Sequence, residues 1–193
     1  MKQEDLNSKM YFYERFAEEF DSTMNMYDTQ KRLEVFYKEL LVEDIRGKNL
    51  LDAGCGTGWF SKKASDRGAS VTSMDLGEKL LSKVKEKCNS TCVVGSVLQI
   101  PYNDNSFDIV VSSEVIEHVP DPHKALQELF RVLKPKGVLI ISTPNKFWHF
   151  SLRIANCFKL RPYQGLENWS NWYQIQKEMK SIGFKIESPL PLQ

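Results

Sequence analysis

Gly54, Gly56 and Gly58 stand at every second position behind the apolar run Leu50–Leu51, with Asp52 just ahead of them, in the stretch "LLDAGCGTGWF". Glycine turns of this kind let the backbone approach a nucleotide-like ligand closely. A phosphate-binding P-loop needs Gly-Lys-Ser/Thr at its end, and Gly58-Trp59-Phe60 supplies neither the lysine nor the hydroxyl. A dinucleotide fingerprint counted from Gly54 needs its third glycine at Trp59, where a bulky indole stands instead. What remains is the spacing D-x-G-x-G-x-G. About twenty residues further on, Asp75 closes the next apolar run; an acidic side chain there can accept both ribose hydroxyls, or else act as a helix N-cap or a solvated strand end.

The elements that must position these groups alternate in type. "NLLDA" (49–53), "ASVTSMD" (69–75), "TCVVG" (91–95), "FDIVVSS" (107–113) and "GVLIIST" (137–143) read as strands. Their near-continuous apolar character suits strands buried on both faces of a parallel sheet. Between them, "EKLLSKVKEK" places Leu80, Leu81 and Val84 on one helical face. "DPHKALQELFRVLK" offers Asp121 as N-cap, Pro122 at the first helical position and Ala125, Leu126, Leu129, Val132 and Leu133 as an apolar stripe. The alternation predicts an α/β fold, a doubly wound, mostly parallel sheet with helices on both faces and right-handed crossovers. Upstream, "TQKRLEVFYKELL" carries Leu33, Phe36, Leu40 and Leu41 at helical spacing. It and the aromatic segment "YFYERFAEEF" read as a helix packed on the sheet, as a cap over the site's mouth, or as both. Downstream, "NWYQIQKEMKSIGFKIE" predicts a helix ending near Gly183 and then a sixth strand, while the prolines of "SPLPLQ" oppose a further central strand. A final antiparallel strand is expected to be absent or truncated.

The pieces "DAGCGTG", "GASVTSMDLGEKLL", "EVIEHVPDP" and "STPN", in that order between about residues 46 and 146, resemble class I S-adenosylmethionine-dependent methyltransferases of the type-11 branch. The ubiquinone-biosynthesis O-methyltransferase group is the nearest likeness. The resemblance covers about half the chain. It implies a Rossmann-like methyltransferase fold with S-adenosyl-L-methionine as cofactor and S-adenosyl-L-homocysteine as product. It implies cofactor contacts at Asp52, Gly54, Cys55, Gly56, Thr57, Gly58 and Asp75, at Leu76, Ser96 and Val97, and at Ser113, with Asp52 near the ammonium and sulfonium end. Arg32 matches an arginine that can pair with the methionine carboxylate, and reads equally well as a solvated surface arginine. Two departures stand out. Ser96 occupies a position that is often acidic, and its hydroxyl can still accept the adenine amino group without the charge. The family's "KPGG" turn reads Lys134-Pro135-Lys136-Gly137.

Methyl transfer from a sulfonium is an in-line displacement, so the protein must align the reactants and, for a hydroxyl or amine, remove a proton. Histidine is the natural base near neutral pH, and the chain has His118, His123 and His149. His118 lies just past the fourth strand, on the ligand-binding side, and is the candidate base; capping or orienting a loop is the alternative. Glu114, Glu117 and His118 have helical spacing at i, i+3 and i+4, which leaves a divalent metal conceivable. His149 is a weaker candidate, able to swing in from a lid. The cysteines have no evident base partner and are not read as nucleophiles.

The acceptor site is expected in "NKFWHFSLRIANCFKLRPYQGLENW" (145–169), where Phe147, Trp148, Leu152, Ile154, Ala155 and Phe158 can cover a substrate and Lys146, Arg153, Lys159 and Arg161 add positive charge. That predicts a small-molecule acceptor with an apolar body and an anionic group, methylated at oxygen or nitrogen. A helix packed on the sheet, and peripheral membrane contact through a basic amphipathic helix, are the other readings of the segment. Nucleic acid is disfavoured, because 26 Lys and Arg against 25 Asp and Glu leave no broad basic excess. The charged start and the lack of a long apolar run predict neither a signal peptide nor a membrane span. Cys55, Cys88, Cys92 and Cys157 form no C-x-x-C pair and read as reduced thiols of a cytoplasmic protein. One domain is expected over 1–193, divided into a helical cap (1–45), a cofactor-binding core (46–145) and an acceptor lid with C-terminal helix and strand (146–193). Two rival functions are a non-catalytic cofactor-binding or interaction module, suggested by the unusual C-terminal end, and an NAD oxidoreductase.

Overall fold

The structure, a computed structural model, describes residues 14, 17, 18, 20–23, 26–144 and 172–187. A short turn, α1 (Phe20–Thr23), precedes α2 (Met26–Glu34), whose last turns widen into a π-helical stretch (Val35–Leu40). Then β1 (Asn49–Ala53), α3 (Trp59–Asp66), β2 (Ser70–Asp75), α4 (Glu78–Lys87) and β3 (Thr91–Val94) alternate regularly. Next come β4 (Phe107–Ser113), a 3₁₀ turn (Ile116–His118), α5 (Pro122–Val132), β5 (Leu133–Ser142) and α6 (Trp172–Ile182).

The strands form one sheet in the order β3-β2-β1-β4-β5, every neighbouring pair parallel. Successive residues of a strand face opposite sides of the sheet. Accordingly Leu51, Ala53 and Val110 join α5 and α6 in one core, while Leu50, Ile109 and Val111 join the π-helical stretch and α3 in the other. Two apolar faces explain why the central strands read as continuous hydrophobic runs rather than alternating ones. The edges are different. β3 has no fully buried residue and Val138 on β5 is 43% exposed, so the expectation of burial on both faces holds for the centre only.

Helix ends follow their sequence signals. The Asp121 carboxylate accepts the Lys124 N–H at 3.0 Å, Pro122 opens α5, and Ala125, Leu126, Leu129 and Val132 are fully buried. Arg67 closes the π-helical stretch by donating to the carbonyls of Tyr37, Leu41 and Glu43 at 2.7–2.9 Å. The described N-terminal helix faces two ways. Phe36, Tyr37 and Leu41 pack into the sheet's core, whereas Thr29 and Arg32 of α2 face the cavity described below.

Two boundaries differ from expectation. β5 starts at Leu133 rather than Gly137, because α5 runs straight into it and the register with β4 shifts between Phe107 and Ile109. Lys136 absorbs that irregularity with φ of 66°. Residues 184–187 are not a strand. Gly183, at φ 119°, turns the chain so that the Phe184 ring packs against Phe130 with centroids 4.8 Å apart, and among the described residues no strand pairs with it. The lid residues 146–161, with His149 and Cys157, and the end at 188–193 lie outside the described residues.

Candidate active site

In a parallel sheet of this order, ligands bind beyond the carboxyl ends of the strands where the order reverses, here between β1 and β4. The glycine loop leaves β1 at that point, anchored by Gly54 and Cys55 N–H donors to the Met74 carbonyl at 2.8 and 3.0 Å. Gly54 has φ 78°, and a Cβ there would lie 2.5 Å from the Val115 side chain. The loop and the turn after β4 are therefore pressed together as only glycine allows. Gly58, at φ 86°, is the N-cap of α3.

Above the loop lies a cavity of about 230 Å³. Its wall includes Arg32, Asp52, Gly54, Cys55, Gly56, Thr57, Asp75, Leu76, Ser96, Val97, Ser113 and His118. The predicted site residues are thus brought together from five elements and the loops between them. Gly58 is the exception: it lies outside the wall and serves the loop by starting α3. Sequence reasoning missed Glu14 and Phe20, which close the wall from the N-terminal side, and Val115 and Val119 at the other end. Trp59, read as an obstacle to a dinucleotide, also lines the cavity and donates its indole N–H to Asp21 at 3.1 Å.

Asp75 accepts the Gly77 N–H on one carboxyl oxygen and the Gly56 N–H on the other, each at 2.9 Å. Each oxygen keeps acceptor capacity that ribose hydroxyls can use. Burial pushes its pKa up, opposed by the N–H groups of Gly77, Gly56 and Leu76. Asp52 is 2% exposed and accepts the Ser61 hydroxyl at 2.6 Å; burial raises its pKa to about 7, which Ser61 opposes. The Cys55 thiol is held well above its usual range by burial and the nearby carboxylates, which suits the expectation that it is no nucleophile. The Ser96 hydroxyl accepts the Leu98 N–H at 3.2 Å and retains its own proton to donate.

At the ends of β4 and β5 a polar chain crosses the site. Arg32 donates to the Ser113 hydroxyl at 3.0 Å, Ser113 and Ser142 share a 3.0 Å hydrogen bond, and Ser142 donates to Glu114 at 2.9 Å. Arg32 also lies 3.8 Å from the Glu114 carboxylate and is largely buried, so it is no solvated surface arginine.

Glu114 has φ 57°, which breaks any helix through it, and only Ile116–His118 form a 3₁₀ turn. Glu114, Glu117 and His118 therefore do not share a helical face. Glu117 is 1% exposed, and neither carboxyl oxygen has a hydrogen bond of ordinary geometry among the described residues; Thr143 polarises it only weakly. Burial first and Glu114 next hold its pKa well above the carboxylate range. Among the described residues no three His, Cys, Asp or Glu side chains are disposed to hold a metal. His118 lies 3.8 Å from Glu117 and in the cavity wall, while His123 sits half-exposed on α5, bonded to Gln127.

A parallel β3-β2-β1-β4-β5 sheet with a glycine loop after β1 and an acidic residue closing β2 is a Rossmann-like nucleotide-binding arrangement, which class I methyltransferases share. A family profile described as a methyltransferase domain matches residues 51–141. A probable S-adenosylmethionine-dependent methyltransferase of Mycolicibacterium smegmatis is 31% identical over 83% of this chain and 60% of its own length. A malonyl-[acyl-carrier protein] O-methyltransferase of Serratia marcescens is 41% identical over 50% of this chain and 38% of its own. A ubiquinone biosynthesis O-methyltransferase of Pseudomonas paraeruginosa is 36% identical over 53% and 47%. The chain therefore spans between 38% and 60% of these relatives. A solved structure of a methyltransferase from Thermotoga maritima shares the fold, with a TM-score of 0.73 at 21% identity, over 92% of this chain and 82% of that one. The profile match over residues 51–141 and these relatives support a class I S-adenosylmethionine-dependent methyltransferase of the type-11 branch.

Proposed function

We propose that the protein transfers a methyl group from S-adenosylmethionine to an oxygen of a small-molecule acceptor with an apolar body and an anionic group. One observation carries the cofactor half of this reading: a single cavity gathers the glycine loop, Asp75 with acceptor capacity on both oxygens, and Arg32 set against Ser113. Those groups fit the backbone approach to an amino-acid moiety, the ribose hydroxyls and a carboxylate respectively. The sulfonium supplies an activated methyl group. Asp75 holds the ribose, Arg32 the methionine carboxylate, and Asp52, once deprotonated, faces the cationic end. Gly54, Cys55, Gly56, Thr57, Leu76, Ser96 and Val97 shape the bed around them.

Among the three histidines His118 is the proton acceptor in this reading, supported by its place in the wall beside Val115 and Val119. Oxygen is favoured over nitrogen by the relatives named as O-methyltransferases. The anionic group rests on Lys146, Arg153, Lys159 and Arg161. Division into a cap (1–45), a core (46–145) and a lid (146–193) accords with the profile match at 51–141. No described helix is long and apolar enough to cross a membrane, and we place the enzyme in the cytoplasm on its thiol chemistry. The non-catalytic module and the NAD oxidoreductase are not favoured beside the methyltransferase relatives.

Calorimetry with S-adenosylmethionine, followed by an acceptor screen reading S-adenosylhomocysteine release, tests the proposal. Binding followed by product release with an anionic, partly apolar hydroxyl compound is the expected result. Tight NAD binding without S-adenosylmethionine binding contradicts it. Neutralising Lys146, Arg153 and Arg161 together should raise the acceptor KM; an unchanged value removes the anionic group from the proposal.

A further inference from the structure

Three carboxylates near the N-terminus land on successive turns of one face of α4. Glu14 accepts the Lys79 backbone N–H at 3.1 and 3.2 Å, Glu18 pairs with Lys83 at 2.8 Å, and Asp21 pairs with Lys87 at 2.7 Å. Lys79, Lys83 and Lys87 are spaced at i, i+4 and i+8, a single stripe along the helix. The N-cap of α4, Gly77, offers no side-chain acceptor, and Glu14 supplies one from sixty-five residues away in sequence. Asp21 does more than pair with Lys87. Its carboxylate also accepts the Thr57 hydroxyl at 2.5 Å and the Trp59 indole N–H at 3.1 Å, both in or next to the glycine loop. Lys87 lies over the Trp59 ring, 5.3 Å from its centroid. Phe20 packs beside Gly56, and Glu14 and Phe20 both form part of the cavity wall.

We propose that the segment carrying Glu14, Glu18, Phe20 and Asp21 is an electrostatic latch that closes the cofactor cavity, with Asp21 the positioning residue that ties the latch to the glycine loop. This rests on the reading of the cavity as the S-adenosylmethionine site. Glu14 and Phe20 stand in the wall of the cavity that such a ligand would fill, so these contacts hold that part of the wall in place. The Glu18 carboxylate is 76% exposed and that of Asp21 37% exposed. Exposed ion pairs are individually weak and are screened by salt, so a latch built from them opens readily and does so faster at high ionic strength. The contacts from Asp21 to Thr57 and Trp59 are part-buried and couple opening to the loop that carries the ligand. The expected signature is kinetic: the latch sets how fast the cofactor leaves.

The test measures release of labelled S-adenosylmethionine from the full chain, chased with excess S-adenosylhomocysteine, at about 50 mM and about 500 mM salt, conditions that change the screening length about threefold. Wild-type release should accelerate several-fold at the higher salt. A Glu14→Gln, Glu18→Gln, Asp21→Asn variant should release roughly tenfold faster at low salt and lose most of the salt dependence, the sum expected of a few weak pairs. Exchanging the charges, Glu18→Lys with Lys83→Glu, should return release towards the wild-type rate from that of Glu18→Lys alone, which a mere packing role would not do. Wild-type release rates and salt dependence in the triple variant overturn the latch and leave the cofactor reading intact. A wild-type protein that binds neither ligand in calorimetry overturns the cofactor reading, and the latch's role with it.

Discussion

Asp52 sits under the glycine loop at 2% exposure with a pKa raised to about 7, far above the ~3.9 of an unfolded aspartate. Between those two values the folded protein holds a proton that the unfolded chain has released. The unfolded state binds fewer protons there, so stability falls as pH rises from about 4 to about 7 and levels off above, by at most ~1.4 kcal/mol per pH unit. Asp52→Asn removes this residue's share. Urea unfolding of the ligand-free protein should show a shallower decline across that window in the variant; an identical slope would contradict the assignment. Glu114 and Glu117, also raised by burial, act in the same direction and keep some slope in the variant. The sequence placed Asp52 at the site as a charge. Only its burial, with Ser61 as its hydrogen-bond partner, shows that the charge is conditional on pH and on a cationic ligand.

At the scale of the elements, the strands and helices follow their sequence patterns where both sides of the element are packed. β1 and β4 begin and end where the apolar runs do, because any shift would turn polar side chains into one of two cores. Boundaries moved where a neighbour rather than the pattern decides. β5 extends back to Leu133 because α5 delivers it beside Phe107, and the surplus residues are taken up by Lys136 at φ 66°. A side chain in that left-handed conformation costs about 1 kcal/mol that glycine does not incur. Lys136→Gly should therefore stabilise the protein by roughly 0.5 kcal/mol after the greater chain entropy of glycine is counted, raising Tm by a degree or two in calorimetric scans. A fall in Tm would show that the lysine side chain contributes more than its backbone costs. The 184–187 segment failed as a strand for a related reason: β-propensity without an adjacent strand edge leaves the ladder unmade, and Phe184 packs on Phe130 instead.

For the whole molecule, the cavity joins parts that are far apart in the chain, from Glu14 to His118, so a ligand filling it ties the cap, the glycine loop and the ends of β2 and β4 together. A ligand that binds only this folded arrangement stabilises it by about 2.7 kcal/mol at a hundred times its Kd. S-adenosylhomocysteine at that excess should then raise Tm by roughly 5–10 °C for a chain of this size. NAD at equal concentration should leave Tm unchanged, and the reverse order of effects would contradict the cofactor reading.

The sequence alone determined the sheet's class and singled out many of the residues that line the cavity, because glycine spacing, strand-end acids and helix caps are local signals with few structural solutions. It also set the helix around Ala125 and Leu129 by periodicity and an N-cap. The tertiary structure decided what depends on distance across the fold: that Arg32 reaches Ser113 and Glu114, that Glu114 leaves the helical path and takes Glu117 and His118 off a common face, and that Glu14, Glu18 and Asp21 meet a lysine stripe on α4. The acidic spacing and the Lys79, Lys83, Lys87 stripe were both present in the sequence. Neither pattern names its partner, since a run of charges at helical spacing fits a solvated face equally well until packing brings the opposite charges within reach.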